Sequence, residues 1–153
     1  MNVQILCIGK VKDKFNREQI KLCCDKINKG QHQISIFEYP DMKIPVRMKE
    51  NGFEEFLEKE WQKPMQKITG KDYVVALCIE GKELSTKQHI SNIRQAVCNE
   101  YQSVTYLIGG SLGLPEQLKK RANLKISFSK MTFPHQLMRV VLCEEIAQVL
   151  NEL

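Results

Sequence analysis

The segment Val-Thr-Tyr-Leu-Ile-Gly-Gly-Ser-Leu-Gly-Leu-Pro, residues 104–115, carries the clearest structural signal in the chain. Its first five residues are mostly apolar and predict a buried strand; glycines follow, and Pro115 suits the first turn of a helix. In open α/β sheets, glycines at the carboxyl end of a strand let the backbone approach a ligand. The order Gly-Gly-x-x-Gly differs from the dinucleotide fingerprint and from the P-loop. The segment alone leaves both a ligand loop and a plain tight turn open.

Outward from this segment, strands and helices alternate along the chain. Apolar or alternating runs predict strands at residues 3–8, 33–39, 73–79, 104–108 and 124–128. Helical periodicity and capping signals predict helices at residues 15–29, 53–68, 85–100, 115–122 and 134–153, with loops at 40–48 and 129–133. Pro64 is expected to kink or divide the second helix, and Gly81 to turn the chain after the third strand.

This alternation predicts the α/β class, with a mainly parallel sheet covered by helices on both faces. The chain of 153 residues has the length of one domain. It contains no internal repeat and no linker rich in Gly, Ser or Pro. We therefore expect residues 1–153 to form a single domain.

Composition excludes several classes of protein. The chain is 42% hydrophobic and 27% charged, as in an ordinary globular domain. Its apolar runs fall far short of the roughly 20 residues that a membrane-spanning helix needs. The first residues show no signal-peptide pattern. These features predict a cytoplasmic protein without a membrane segment.

The cysteines and histidines give no metal-binding pattern. Six cysteines occur without a Cys-x-x-Cys pair, at positions 7, 23, 24, 78, 98 and 143, and the three histidines are scattered. Because free cysteine behaves as a small buried hydrophobe in a reducing compartment, we expect free thiols and no zinc site.

The charge is mildly basic, with a formal net value of +5. Basic residues cluster at Lys10, Lys12, Lys14 and Arg17, and again at Lys119, Lys120, Arg121, Lys125 and Lys130. Such clusters are either solvated faces or a patch that binds phosphates, as in a nucleic-acid partner. Charge alone does not decide between the two.

A second unusual segment is Ser-Phe-Ser-Lys-Met-Thr-Phe-Pro-His-Gln-Leu-Met-Arg, residues 127–139. A loop rich in small polar residues leads to Pro134 at a helix start, with His135 and Arg139 one turn apart. Free N–H groups at a helix N-terminus suit a carboxylate or a phosphate. The alternatives are a histidine satisfied locally at the helix start and an arginine in a surface ion pair.

Together, the strings IGGSLGL (residues 108–114) and ISFSKMTFPHQLMRVVLCEE (126–145) resemble the signature of the small, single-domain SPOUT methyltransferases. Within this family the chain is most similar to the bacterial enzymes that methylate N3 of a pseudouridine in 23S ribosomal RNA. The opening strand with Gly9 and Lys10, the segment YVVALCIEGKELST (73–86) and the length also agree. The resemblance thus covers nearly the whole chain.

The resemblance implies a C-terminal deep trefoil knot that holds S-adenosylmethionine, and a homodimer in which each site borrows from its neighbour. The cofactor contacts it implies are Leu77, Gly110, Ser129, Lys130, Met131, Thr132, Phe133 and Pro134. His135 and Arg139 are the implied catalytic residues, which face the RNA or stabilise the helix start. The implied partner is ribosomal RNA or the ribosome, with Lys10, Lys12 and residues 119–121 as candidate phosphate contacts. We expect the dimer surface on the apolar face of the last helix.

The chain departs from the family pattern in its last helix. Where the family usually carries Tyr-Arg, this sequence has Ala147-Gln148, and the family's Tyr-His tail does not follow Leu153. Three hypotheses therefore stay open: an active rRNA methyltransferase, an S-adenosylmethionine-binding paralogue with a different RNA target, and a catalytically silent dimer that binds RNA or a partner.

Overall fold

A computed structural model describes residues 1–49 and 52–153, and it places five parallel strands in one sheet. The strands are β1 (Asn2–Ile8), β2 (Gln33–Tyr39), β3 (Asp72–Glu83), β4 (Ser103–Ile108) and β5 (Leu124–Ser127). The order across the sheet is β2-β1-β4-β3-β5, and each neighbouring pair is parallel. The helices are α1 (Lys14–Asn28), α2 (Gly52–Met65), α3 (Thr86–Cys98), α4 (Glu116–Arg121) and α5 (His135–Asn151). The predicted α/β class with a parallel sheet is confirmed.

Helices cover both faces of the sheet, because the central strands alternate their side chains between two apolar cores. Ile5 and Cys7 of β1 pack in the core that α1, α3 and α5 cover. Leu6 of β1 packs in a second core with Trp61 of α2 and Leu118 of α4. Strands buried on both faces are what the near-continuous apolar runs predict.

Strand β3 is longer than predicted, and Gly81 does not end it. After pairing with β5 at residues 75–77, β3 shifts register, and Lys82 and Glu83 then pair with β5 again. A Cβ atom at Gly81 would lie 2.6 Å from the backbone carbonyl carbon of Ile126. The glycine therefore lets the two strands approach closely. Because of the register shift, residues 78–81 do not pair with β5, and they form a wall beside the sheet.

Two helix predictions also need correction. Pro64 does not divide α2, which runs unbroken from Gly52 to Met65, because the proline lies in the last turn, where the helix is already ending. The third helix ends at Cys98, before the predicted residue 100, because Glu100 adopts a left-handed φ of 63°. Its predicted capping box is present at Ser85 and Gln88.

Across the ranges 1–49 and 52–153, no helix is long and apolar enough to span a membrane. Within the same ranges, no group of three or more His, Cys, Asp or Glu side chains is arranged to hold a metal ion. The six cysteines carry free thiols.

Candidate functional site

A cavity of about 430 Å³ opens where the carboxyl ends of β3, β4 and β5 meet. Its walls come from residues 77–80 after the first part of β3, residues 108–114 after β4, and the segment that follows β5. His135 and Met138 of α5 complete the lining. Crevices at the carboxyl ends of parallel strands are the usual ligand sites of open α/β sheets, and the volume suits a small organic molecule.

The glycine loop after β4 is a tight turn and a cavity wall at once. Gly110 and Gly113 pair with each other, and the Gly113 N–H donates to the Gly110 carbonyl oxygen at 3.1 Å. Gly113 has a φ of +84°, and a Cβ atom at Gly109 would lie 2.5 Å from the Gly113 carbonyl carbon. Only glycine fits this closure, so the tight-turn interpretation is confirmed, and the same turn lines the cavity.

The wall that follows β5 is shaped by its own serines. The Ser127 hydroxyl donates to the Ser129 carbonyl oxygen at 2.9 Å, and the Met131 N–H donates to the Ser129 hydroxyl oxygen at 3.0 Å. These local bonds hold the loop open beside the cavity. Pro134, which has no polar side chain, precedes the first turn of α5.

Most of the implied cofactor contacts come together at this cavity. Those that line it are Leu77, Gly110, Ser129, Met131, Thr132 and Phe133. Lys130 and Pro134 belong to the same loop but do not line the cavity. His135 lines it and has an exposed side chain.

Arg139 lies apart from the cavity and is buried, with 2% of its surface exposed. Its guanidinium donates to the carbonyl oxygens of Ile8 and Gly9, at 2.6 and 2.7 Å, and pairs with the Glu38 carboxylate at 3.0 Å. The expectation that Arg139 lies on the surface is therefore wrong, although the arginine does form an ion pair, with Glu38. The other expectation, that Arg139 stabilises the start of the last helix, agrees with these bonds.

Comparison with known proteins assigns the family. Residues 1–150 match the family model described as "Predicted SPOUT methyltransferase". The chain belongs to the SPOUT methyltransferase family. Three relatives show how similar the chain is to known members of the family. One is named Ribosomal RNA large subunit methyltransferase H, and the other two have the same name followed by 1 and by 2. The resemblance stated from sequence is confirmed.

Each relative aligns over 146 residues, which is 95% of this chain. The protein of Streptococcus thermophilus is 40% identical, and the match covers 91% of its length. That of Thermoanaerobacter pseudethanolicus is 39% identical over 94% of its length. That of Caldanaerobacter subterraneus is 40% identical over 97% of its length.

In this SPOUT methyltransferase, the rim of the cavity carries an ion pair that was not predicted. Lys119 of α4 lies 2.5 Å from the Glu80 carboxylate and 3.8 Å from that of Glu116. The hydrogen bond between Lys119 and Glu80 raises the pKa of the lysine and lowers the pKa of the glutamate. Sequence patterning does not indicate this pair, because the predicted strand stops at residue 79 and Glu80 falls between it and the turn expected at Gly81.

This pairing changes the interpretation of the second basic cluster. Arg121 donates to the carbonyl oxygens of Thr69 and Asp72, so its charge fixes local structure. With Lys119 held by Glu80, only Lys120 of residues 119–121 has an exposed side chain. Lys10 and Lys12 are exposed.

A pair of carboxyl groups lies behind the glycine loop of the SPOUT cavity. A Cβ atom at Gly110 would lie 3.4 Å from an Asp41 carboxylate oxygen and 3.5 Å from a Glu60 carboxylate oxygen. Glu60 is 9% exposed, and burial raises its pKa. The Met42 N–H donates to it at 3.4 Å. No local pattern in the sequence indicates this pair. Glu60 lies on α2 and Asp41 in the loop after β2, and both elements meet the chain near Gly110.

The apolar face of α5 is mostly internal, so only part of it is available as the expected dimer surface. Ile146, Val149 and Leu150 are buried in the core of the chain itself. Leu137 and Val141 stay exposed, at 41% and 37%. Two residues of the cavity loop, Met131 and Phe133, add further exposed apolar surface. Of the residues that replace the family's Tyr-Arg, Ala147 packs against the core and Gln148 is exposed.

Proposed function

We propose that this SPOUT methyltransferase transfers the methyl group of S-adenosylmethionine to N3 of a pseudouridine in 23S ribosomal RNA. The main support for this proposal is the cavity, because six of the eight cofactor contacts that the resemblance implies line it. Relatives named Ribosomal RNA large subunit methyltransferase H support the large-subunit RNA as the substrate.

The residues of the cavity fit this cofactor. Leu77, Ile108 and Phe133 offer apolar walls for an adenine ring. The glycine loop presents backbone groups that can bind the polar edges of adenine and the amino-acid end of the cofactor. When bound, S-adenosylmethionine supplies an electrophilic methyl group on a sulfonium.

Transfer requires alignment and removal of one proton. With S-adenosylmethionine bound, the methyl group would pass from its sulfonium to N3 of the pseudouridine, with S-adenosylhomocysteine as the leaving group, and the N3 proton would need a proton acceptor from the protein. His135 lines the cavity and is exposed, so its imidazole is our candidate acceptor for that proton. Positioning of the two reactants supplies the larger part of the catalysis.

Basic side chains near the first turn of α5 provide candidate phosphate contacts. The Lys12 and Asp13 N–H groups both donate to the Gln136 side-chain oxygen at 2.8 Å. These bonds hold the backbone at Lys12 beside Gln136, the residue that follows His135, and the side chains of Lys10 and Lys12 are exposed there. RNA phosphates bound there, and at Lys120, would hold the target nucleotide near the cavity.

We also propose the homodimer and the knot of the family. Leu137 and Val141 are exposed one turn apart on α5, and Met131 and Phe133 of the cavity loop are exposed as well. A second copy packed on these apolar side chains would cover the open side of the cavity. The knot proposal is supported by the segment between β5 at the sheet edge and α5, which lines the same cavity as the loops after β3 and β4, and by α5, which packs on α1 and α3.

One observation favours a second candidate. Ala147 and Gln148 replace a Tyr-Arg pair at positions where the family usually carries groups suited to orient a base. A paralogue that binds S-adenosylmethionine and methylates a different RNA is therefore the alternative. The cavity is compatible with both candidates, and the RNA target separates them.

The test is methyl transfer from radiolabelled S-adenosylmethionine to ribosomes and to total RNA, in parallel. Label in the large subunit is the expected result. Label in another RNA fraction would support the paralogue. If no RNA is labelled and calorimetry detects no cofactor binding, the proposed function is wrong.

A further inference from the structure

The connection that follows β2 leaves the sheet on the same side as the cavity. All neighbouring strands are parallel, so every segment that follows a strand begins at the same edge of the sheet. The cavity lies among the segments after β3, β4 and β5, and residues 40–49 follow β2 at that edge. Residues 40–49 form neither helix nor strand. We call residues 42–47 the β2 loop.

The start of this connection is fixed against the glycine loop of the cavity. The Asp41 carboxylate lies against Gly9 and Gly110, since Cβ atoms at these two glycines would lie 2.9 and 3.4 Å from its oxygens. The Met42 N–H donates to the buried Glu60 carboxylate at 3.4 Å. Because Gly110 lines the cavity, the β2 loop begins directly behind the cavity wall.

Beyond this anchor, the β2 loop exposes apolar side chains. Met42, Ile44 and Val46 are 38%, 42% and 97% exposed. Of the large hydrophobic side chains in the described part of the chain, Val46 is the most exposed. Apolar side chains exposed singly are ordinary, but three at alternate positions beside a ligand cavity are typical of an interaction site.

Basic side chains alternate with these apolar ones. Lys43 and Arg47 are exposed, and none of the ion pairs among the described residues involves them. Lys49 adds a third exposed positive charge. Between residues 40 and 49 the sequence has one carboxylate, Asp41, which faces the two glycines. The β2 loop therefore presents positive charge and apolar surface together.

The segment after β1 continues the positive charge toward α5. Lys10 and Lys12 are exposed, and the Lys12 backbone is held by Gln136, next to the cavity-lining His135. In the sheet, β1 lies between β2 and β4, so this segment begins between the β2 loop and the glycine loop. Exposed cations thus follow one edge of the sheet from the β2 loop to the first turn of α5.

RNA is the partner whose chemistry matches this surface, because it offers phosphates to cations and base or ribose surfaces to apolar side chains. An anionic lipid surface would attract the same side chains. It would not account for a loop that is anchored on the wall of the cavity where a methyl acceptor has to lie.

We propose that the β2 loop docks the substrate RNA. Lys43 and Arg47 bind phosphates, and Ile44 and Val46 contact base or ribose surface beside the target nucleotide. This inference rests on the proposed function, since it takes the RNA of that function as the partner.

Changes in the β2 loop should act on RNA affinity alone, because the loop docks RNA and the cofactor lies on the other side of the cavity wall. Lys43→Gln combined with Arg47→Gln should weaken binding to ribosomes at least about tenfold and raise KM for ribosomes, with kcat and cofactor affinity unchanged. The slope of log Kd against log salt concentration should become shallower by about 1 to 2. Val46→Ser should weaken binding about threefold and leave the slope unchanged.

The experiment is co-sedimentation of the full chain with purified ribosomes, at fixed Mg²⁺ and varied KCl, with calorimetry of S-adenosylmethionine binding in parallel. Lys26→Gln combined with Lys29→Gln is the matched control, and it should bind as the parent does. It removes the same charge from exposed side chains at the other edge of the sheet, where α1 leads into β2. Val97→Ser, at a 45% exposed position on α3, is the control for Val46→Ser.

Parent-like binding of ribosomes by the Lys43 and Arg47 double variant would overturn the inference, as would an equal loss in the Lys26 and Lys29 control. A parent that does not bind ribosomes would also overturn it. If the loop variants lost only binding to vesicles of phosphatidylcholine and phosphatidylglycerol in equal parts, the loop would belong to a membrane contact instead.

The two proposals fail separately. A parent that binds ribosomes through the β2 loop but methylates no RNA would contradict the proposed function and leave the docking inference in place. A parent that methylates ribosomal RNA with a KM that the loop variants do not change would contradict the docking inference alone.

Discussion

The guanidinium of Arg139 donates a 2.6 Å hydrogen bond to the carbonyl oxygen of Ile8, which ties the first turns of α5 to the last residue of β1. The same group bonds the Gly9 carbonyl oxygen, where the chain turns with a φ of +88°. Glu38 of β2 pairs with Arg139 and accepts the Val11 N–H at 2.7 Å. One buried side chain thus fixes α5, β1 and the turn after β1 relative to each other.

Arg139→Ala should reduce the free energy of unfolding by about 3 kcal/mol, because it leaves buried carbonyl oxygens and a carboxylate without their donor. Urea unfolding followed by circular dichroism measures the change. Arg17→Ala, at an exposed position on α1, is the control and should stay within about 0.5 kcal/mol of the parent. Equal stabilities for Arg139→Ala and the parent would show that the bonds to β1 are unimportant.

Gly109→Ala should weaken S-adenosylmethionine binding at least about tenfold, because its Cβ atom would collide with the Gly113 backbone and force the cavity loop to move. Isothermal titration calorimetry provides the dissociation constant. Gly70→Ala is the matched control, since nothing lies within 4 Å of its Cβ position. If Gly109→Ala bound S-adenosylmethionine as tightly as the parent while Gly70→Ala lost affinity, the cofactor would have to bind elsewhere.

His135→Asn should lower the rate of methyl transfer by about 10²-fold while leaving the cofactor affinity and the unfolding curve unchanged, since the side chain is exposed at the cavity. Single-turnover transfer with saturating cofactor measures the rate. A parallel loss of cofactor affinity would assign His135 to cofactor binding. A parent-like rate would remove it from the chemistry.

Stability should fall as the pH rises from 9 toward 11 in the presence of a reductant. Burial raises the pKa of Cys7 and Cys23 from 9.0 to about 11. In this window the unfolded chain has released the thiol protons while the folded chain keeps them, so alkali favours unfolding. Urea titrations at intervals between pH 8 and 11 measure the slope. Cys7→Ala should flatten it, and Cys98→Ala, which removes an exposed thiol, should keep the parental slope.

Leu137→Glu should convert the proposed homodimer to a monomer, because it places a charge among the exposed apolar side chains of α5. Sedimentation velocity measures the mass in solution. Val97→Glu, which charges an apolar side chain that is 45% exposed on α3, should leave the dimer intact. A parent protein that sediments as a monomer at all concentrations would contradict the homodimer.

The sequence predicts most elements of this fold because their signals are local. Residues 104–108 and 73–77 form buried strands from uninterrupted apolar runs, and Ser85 and Gln88 begin α3 with their own side chains. Strand β3 beyond Ile79 was missed because its residues Glu80, Gly81 and Lys82 have no strand pattern. The strand continues through them only because Lys82 and Glu83 pair with β5, more than forty positions later in the sequence.

In the site, too, features with local sequence signals were predicted and features that depend on distant residues were not. The cavity loops were predicted through their resemblance to a family, and the glycines through their position after a strand. Arg139 was misplaced because its partners, Ile8 and Gly9, are 131 and 130 positions away in the sequence. From its charge and its place in the helical pattern, Arg139 resembles an exposed residue. It is buried only because α5 packs on β1. The Lys119–Glu80 pair depends likewise on the length of β3.

The measurement that tests the central claim most directly is mapping of the methylated nucleotide by mass spectrometry. Ribosomes that lack the family's modification are incubated with the protein and S-adenosylmethionine, and the RNA is digested and sequenced. We predict one added methyl group, on N3 of a pseudouridine in 23S rRNA, that is absent with Gly109→Ala. A methyl group on any other nucleotide, or none in any RNA although the cofactor binds, would contradict this function.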